Sequence, residues 1–150
     1  MDSHELMEKL NTIKSQLTGF DQPLDNRIYL SCESENSFAV NKFLFEEVGA
    51  RFVIATAIDC EHYFEILYHY SYDQTGCVIN VKCFIRDHEH PQVESIAPLI
   101  TGAEWIEREM HDLEGIEFNN HPCMERLILA DDWPEGEYPL RKDWTNEKEN

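Results

Sequence analysis

Seven histidines and five cysteines are the side chains of this sequence best suited to hold a metal. His88 and His90 form a His-x-His in an acidic stretch, and His111, His121 and Cys123 lie near one another along the chain. A catalytic zinc site needs about three converging protein ligands and further groups that orient them. A His-x-His with no third placed ligand fits a solvated loop better. In the second set His111 falls on a predicted helix and the other two lie beyond a helix breaker, so they are not expected to converge. Cys32, Cys60, Cys77, Cys83 and Cys123 contain no CxxC pair, which removes zinc-ribbon and iron–sulfur motifs. Odd in number and widely spaced, they read as free thiols of a reducing compartment, with Cys60, Cys77 and Cys83 in or beside apolar strands. The carboxylates invite acid–base chemistry, but Glu107 and Glu109 project about 200° apart on a helix and do not share a site. No Gly-rich phosphate loop and no nucleophile–base motif is present. One catalytic class stays open, a small independent metal-dependent enzyme using its histidines.

The elements that would position these residues follow from periodicity. Leu6, Leu10, Ile13 and Leu17 have helical spacing over 3–18, with Ser3 as the expected N-cap and Gly19 as the stop. Asp21-Gln22-Pro23 reads as a connector, and Arg27 to Leu30 as a short strand. Residues 36–48 read as a second helix ended by Gly49. A β-rich centre follows: 51–58, 63–71 and 77–85, with Cys77, Ile79, Val81, Cys83 and Ile85 on one face by period-2 alternation. Residues 72–76 form a hairpin-type turn. A third helix spans 103–114 and stops at Gly115. Beyond it Pro122, Pro134, Gly136 and Pro139 exclude a long regular element, and Thr145 to Asn150 reads as a frayed polar end. The expected fold is α+β: an antiparallel sheet with helices packed on one side and an extended, irregular C-terminal segment. The division is a core over 1–130 and a docking segment over 131–150.

Length and charge narrow the partners. A chain of 150 residues buries a core without disulfide or metal staples. Its 30 acidic and 12 basic side chains give a net charge of -18. Such a surface repels phosphate backbones and anionic lipid, so neither nucleic acid nor direct membrane docking is expected. The polar start has no apolar run of a secretory signal, and no stretch reaches the roughly 18 apolar residues of a membrane span. Membrane association is therefore expected only through other subunits, and the acidic surface favours life in a complex.

Two segments carry the strongest signal. In Gly102 to Pro122, Arg108 has Glu104 and Asp112 as i, i+4 partners, ordinarily ion pairs worth about 0.3–0.5 kcal/mol each. In Asp131 to Trp144, the apolar side chains Trp133, Tyr138, Leu140 and Trp144 need cover, from this domain or from a partner that meets Arg141 and Lys142. Together they contain Glu107-Arg108-Glu109, Asp112-Leu113, Gly115-Ile116, Phe118, His121-Pro122, Arg126-Leu127-Ile128-Leu129, Asp132-Trp133 and Pro139-Leu140-Arg141-Lys142-Asp143. This set resembles the hydrophilic 30-kDa subunit of complex I and its relatives in energy-converting membrane-bound nickel–iron hydrogenases. Phe64 to His69 looks like the family's central strand, so the resemblance covers roughly residues 50–144. Two positions depart from the pattern: Glu114 stands where a second apolar residue is usual, and Glu125 where a basic residue or Pro is usual.

The resemblance implies a cofactor-free supporting subunit with no catalytic residues of its own. It implies docking on a hydrogenase-like large subunit beside a small iron–sulfur subunit, with any nickel–iron centre or iron–sulfur clusters in those partners. It places the chain at the cytoplasmic face of the cell membrane as part of the peripheral arm. The residues expected to meet partners are Glu107, Arg108, Glu109, Asp112, His121, Pro122, Trp133, Pro139, Leu140, Arg141, Lys142 and Asp143. Seven residues follow Asp143, which favours a ferredoxin-dependent hydrogenase branch over an NADH- or other donor:quinone oxidoreductase. The isolated chain is expected to be colourless and redox-silent. A visible absorption band that scales with the purified polypeptide would overturn this.

Overall fold

The computed structural model describes residues 2–146. In chain order the elements are α1 (Ser3–Asn11), β1 (Gly19–Leu24), β2 (Arg27–Glu33), α2 (Ser34–Lys42), β3 (Arg51–Asp59), β4 (Phe64–Tyr72), β5 (Cys77–Ile85), β6 (Gln92–Glu94), α3 (Glu104–Glu114) and β7 (Glu117–Asn119). Alternation builds the centre. Phe64, Ile66, Tyr68, Tyr70 and Tyr72 of β4 are buried, as are Cys77, Ile79, Val81, Cys83 and Ile85 of β5. The antiparallel register sets Phe64 opposite Ile85, Tyr68 opposite Val81 and Tyr72 opposite Cys77, so the buried side chains form cross-strand pairs. Leu6 and Leu10 of α1, Val40 of α2 and Met110 of α3 join the same core. On the opposite face Glu65, Leu67, Lys82 and Phe84 are half-exposed. The result is an α+β fold with its helices on one side of a sheet, as the sequence pattern predicts.

The sheet is mixed. Its order is β1-β2-β5-β4-β3. The meander β3-β4-β5 is antiparallel, but β2 lies parallel to β5, with Ile28, Leu30 and Cys32 beside Ile79, Val81 and Cys83. A parallel neighbour needs a long crossover, supplied by α2, β3 and β4. β6 and β7 form a separate parallel ribbon.

Several boundaries differ from the sequence expectation for local reasons. α1 is capped by Asp2 rather than Ser3. The Asp2 carboxylate accepts from the His4 and Glu5 N–H groups, and Glu5 accepts in turn from the Asp2 N–H, a reciprocal box that Ser3 could not close. α1 also ends at Asn11, not at 18. Gly19 opens β1 instead of stopping a helix, and Asp21-Gln22-Pro23 belongs to that strand. β1 is an edge strand with a register shift between Asp21 and Leu24, where a missing Pro N–H is tolerated. It lacks apolar alternation, so periodicity gives no sign of it. The second helix begins at Ser34, and its last turn, Phe43–Val48, widens to a π-helix before Gly49. Cys32, Cys77 and Cys83 are buried, Cys60 is half-buried and Cys123 is exposed. The expected polar end falls partly on residues 147–150, outside the described residues.

Two helix-ending glycines separate backbone strain from crowding. Gly49 and Gly115 both have φ 72°. A Cβ at Gly49 would meet nothing within 4 Å, whereas at Gly115 it would lie 2.5 Å from the Tyr138 ring. Gly49→Ala should therefore cost about 1–2 kcal/mol, the left-handed backbone term alone. Gly115→Ala should cost about 2–4 kcal/mol, because the Tyr138 ring must also move. Urea denaturation of the two variants checks the difference, and equal losses would mean that Tyr138 is not held against Gly115.

Candidate functional site

α3 is a helix whose polar side chains hold other parts of the chain. Met110 anchors it in the core, and Gly115 ends it in the left-handed conformation, its N–H bonded to the His111 carbonyl at 2.9 Å. After β7 the described chain has no regular element, so its backbone groups must find other partners. Asp112 supplies the acceptor: its Oδ2 receives the N–H groups of Leu127 and Ile128 at 2.8 Å and of Leu129 at 3.3 Å. Burial pushes the Asp112 carboxyl up, but these three bonds outweigh it and leave it below the usual range. One turn earlier, Arg108 supplies the donors: Nε bonds the Glu125 carbonyl at 2.8 Å and Nη2 the Arg126 carbonyl at 3.2 Å. Arg126 then binds the carbonyls of Ala130, Asp131 and Trp133. Residues at i and i+4 of α3 thus clamp segment 125–129 from both polar sides. The expected Arg108 pairs with Glu104 and Asp112 are not formed, because the fork is drawn to unladdered carbonyls.

A second clamp holds the C-terminal segment. Asp59, the last residue of β3, is 5% exposed. Its Oδ1 accepts from the Glu61 N–H and from His88 Nε2, each at 2.8 Å, and its Oδ2 from the Lys142 N–H at 2.9 Å. Burial raises its pKa and the three bonds lower it, with a net fall. The Leu140 N–H reaches the Leu113 carbonyl at 3.0 Å, and Arg141 Nε reaches that of Glu114 at 2.6 Å. The Arg141 guanidinium also lies over the Phe64 and Tyr138 rings, at 5.3 and 4.9 Å. This domain therefore covers Tyr138, and Trp133 packs on Trp144 at 5.8 Å, while Leu140 stays 56% exposed.

The third polar centre is buried outright. Glu107 is 0% exposed. Its Oε1 accepts the Ile96 N–H at 2.8 Å and its Oε2 accepts the Ser95 hydroxyl. Burial dominates and pushes its pKa up to about 7. His121 packs alongside, its Nε2 3.0 Å from the Glu104 carbonyl and its Nδ1 3.1 Å from the Cys123 N–H. Its Nε2 also lies 3.8 Å from Glu107 Oε2, so the ring is held by groups of this same chain.

The histidine pairs are thus drawn apart. His88 is bonded to Asp59 and stacks on Phe64 at 4.7 Å, while His90 is exposed. His111 Nδ1 donates to the Ile116 carbonyl at 2.9 Å. Among the described residues no three His, Cys, Asp or Glu side chains are grouped to hold a metal ion. Of the residues expected to meet partners, Glu107, Asp112 and the His121 ring face inward and contact this chain's own groups. Arg108, Glu109, Trp133, Pro139 and Arg141 are half-buried, and Pro122, Leu140, Lys142 and Asp143 are exposed. Sequence reasoning missed Asp59 and Ser95, whose partners lie far away in sequence. It also missed exposed Val53, Ile54 and Ile128, which look like core by type.

Comparison with known proteins places this architecture. A family model for the 30-kDa subunit of the respiratory-chain NADH dehydrogenase matches residues 30–150. The chain belongs to that family. A C-type subunit of NADH-quinone oxidoreductase from Citrifermentans bemidjiense is 31% identical over 121 residues, covering 78% of this chain and 73% of the relative. Its Roseiflexus counterpart is 42% identical over 80 residues, 53% of this chain and 44% of the relative. A C/D-type polypeptide of NADH-quinone oxidoreductase from Bacteroides thetaiotaomicron is 40% identical over 85 residues, 57% of this chain and 16% of that protein. This chain therefore spans less than half the length of those last two relatives. Among solved structures, a chain of the membrane-bound sulfane sulfur reductase, an archaeal respiratory membrane complex, is similar with a TM-score of 0.78 and 25% identity. That likeness covers 96% of this chain and 86% of that one. A trypsin-resistant fragment of Nqo5 shares the fold at a TM-score of 0.62 and 22% identity, covering 79% of this chain and 98% of the fragment.

Glu107 makes stability depend on pH in an unusual direction. The unfolded carboxyl loses its proton near 4.5 and the folded one near 7. Between those values the folded state binds more protons, so stability falls as pH rises through the window and levels off above it. The full loss is on the order of 3 kcal/mol. Glu107→Gln keeps an acceptor for Ile96 and a polar contact for Ser95, and should remove much of this decline. Urea midpoints at pH 5 and pH 8 check it, and an unchanged slope in the variant would show that Glu107 does not titrate there. Glu114, also pushed up to about 7 by burial and by the Glu109 and Asp59 charges, adds a decline of the same sign that this variant retains.

Proposed function

We propose that this chain is a cofactor-free structural and assembly subunit of a complex I-like, membrane-associated oxidoreductase. It docks on a hydrogenase-like large subunit, beside a small iron–sulfur subunit, in the peripheral arm on the cytoplasmic side. The observation that carries this reading is the use of the charges in the family segment. Asp112, Arg108, Arg126 and Arg141 are directed at backbone groups of this same chain. Charges turned to the chain's own backbone in this way hold its shape, which suits a structural role. No helix among the described residues is long and apolar enough to cross a membrane, in keeping with attachment through other subunits. Any nickel–iron centre and iron–sulfur clusters belong to the partners.

Within that reading the complex is an energy-converting, ferredoxin-dependent nickel–iron hydrogenase. Support comes from the breadth of the likeness to the membrane-bound sulfane sulfur reductase chain. The curated relatives, called NADH-quinone oxidoreductase subunits, favour a second reading in which the same subunit serves a quinone reductase. Affinity purification of the tagged chain from native membranes distinguishes them. Nickel and hydrogen evolution in the recovered complex support the first, and quinone reduction without nickel supports the second. Recovery of the chain alone would overturn both. Arg108→Ala should lower recovery of the complex severalfold while leaving turnover per assembled complex near normal. Normal assembly with lost turnover would assign Arg108 to chemistry.

A further inference from the structure

An apolar groove of about 390 Å³ opens between the sheet edge and α3. Its walls are Val53 and Ile54 of β3, Trp105 and Ile106 of α3, and Leu127 and Ile128 of the clamped segment. Trp105 is 67% exposed, Val53 51%, Ile54 48% and Ile128 51%. Apolar side chains this exposed and this close together are characteristic of a contact surface rather than of scattered surface residues. The local structure explains why they point outward. The register of β3 shifts between Phe52 and Ile54, so two successive apolar side chains reach solvent where alternation would hide one. β3 ends the sheet, and its outer edge has no strand partner among the described residues. The floor is preset, because the Arg108–Asp112 clamp fixes residues 125–129. Little ordering would be needed on binding.

Charge selects the occupant. Glu109 lines the groove and has no hydrogen-bond or ion-pair partner among the described residues. Nearby Glu114, 6% exposed, leaves its Oε2 without a partner. The whole chain carries a net charge of -18. A second copy of this chain or an anionic lipid surface would bring more negative charge to this end. We propose that the groove receives a segment of a neighbouring subunit in the same complex, with apolar side chains seated between Trp105 and Ile128 and an Arg or Lys against Glu109. This rests on the reading of the chain as part of a complex and adds where and by what chemistry the contact is made.

The test uses the whole complex in its native cells. Photoreactive p-benzoylphenylalanine is placed at Trp105, separately at Ile128, and as a control at Leu24, which is 59% exposed on the opposite sheet edge. After irradiation, adducts from positions 105 and 128 should map to one peptide of another subunit, rich in apolar residues and containing Arg or Lys. Glu109→Lys should reduce that adduct about tenfold or more, and Glu109→Gln should reduce it less. An adduct joining two copies of this chain, or a partner peptide without a basic residue, would overturn the proposal. So would an intact complex in which neither position gives an adduct. A complex that assembles and cross-links only at Leu24 keeps the subunit reading and removes the groove. A chain that never co-purifies with other subunits removes both.

Discussion

Backbone polar groups outside helices and sheets cannot be left unpaired when they are drawn against a core, and everything C-terminal of β7 is arranged around that constraint. Residues 120–146 contain no helix or strand, yet they run along α3 and return to the end of β3. The bonds that a ladder would have supplied come from side chains instead. Asp112 gathers N–H groups, Arg108 and Arg126 gather carbonyls, and Asp59 and Arg141 close the path at its end. Charged groups suit this task because each makes several bonds, and bonds to a charge are stronger than neutral ones. A neutral side chain on α3 could not accept three amides at one oxygen with the same gain.

This arrangement explains how acidic and basic residues share one short helix. Along α3, Glu107 goes inward to the turn at Ser95–Ile96, Arg108 goes sideways to segment 125–126, and Asp112 goes to 127–129. Glu109 stays at the groove. Neighbouring charges of opposite sign thus serve different pieces of chain and make few bonds with each other. Glu114 is the exception in this helix. It is buried with an oxygen lacking a partner among the described residues.

Much of the fold was legible because the relevant signals are local. The alternation on β5, the aromatic run on β4 and the breaker after α3 identify those elements directly. The family motif pointed to the pair of segments that the two clamps join. What was not legible is long-range. β1 lacks an apolar pattern and is defined only by its pairing with β2. The parallel docking of β2 on β5 depends on a crossover that no local spacing encodes. Arg108 was assigned helix neighbours because i, i+4 spacing is visible in sequence, whereas the carbonyls of Glu125 and Arg126 are not. Glu107 is expected at a partner contact from its place in the family motif, and charged residues are almost never fully buried unless paired. Its acceptance of bonds from Ser95 and Ile96 depends on how the preceding loop turns.

The parallel contact at the middle of the sheet also orders events in time. Asn80 donates to the Ile28 carbonyl across 52 positions of sequence, and β2 has only the short edge strand β1 on its other side. As the chain leaves the ribosome, Ile28, Leu30 and Cys32 therefore have no inner neighbour until β5 has emerged. Non-local pairing of this kind is slow to form, since loop closure must precede the contacts that reward it. The β3–β4–β5 meander can close by short turns first and offer β2 a finished edge. The apolar side chains of β2 thus gain their inner neighbours only once residues 77–85 are present.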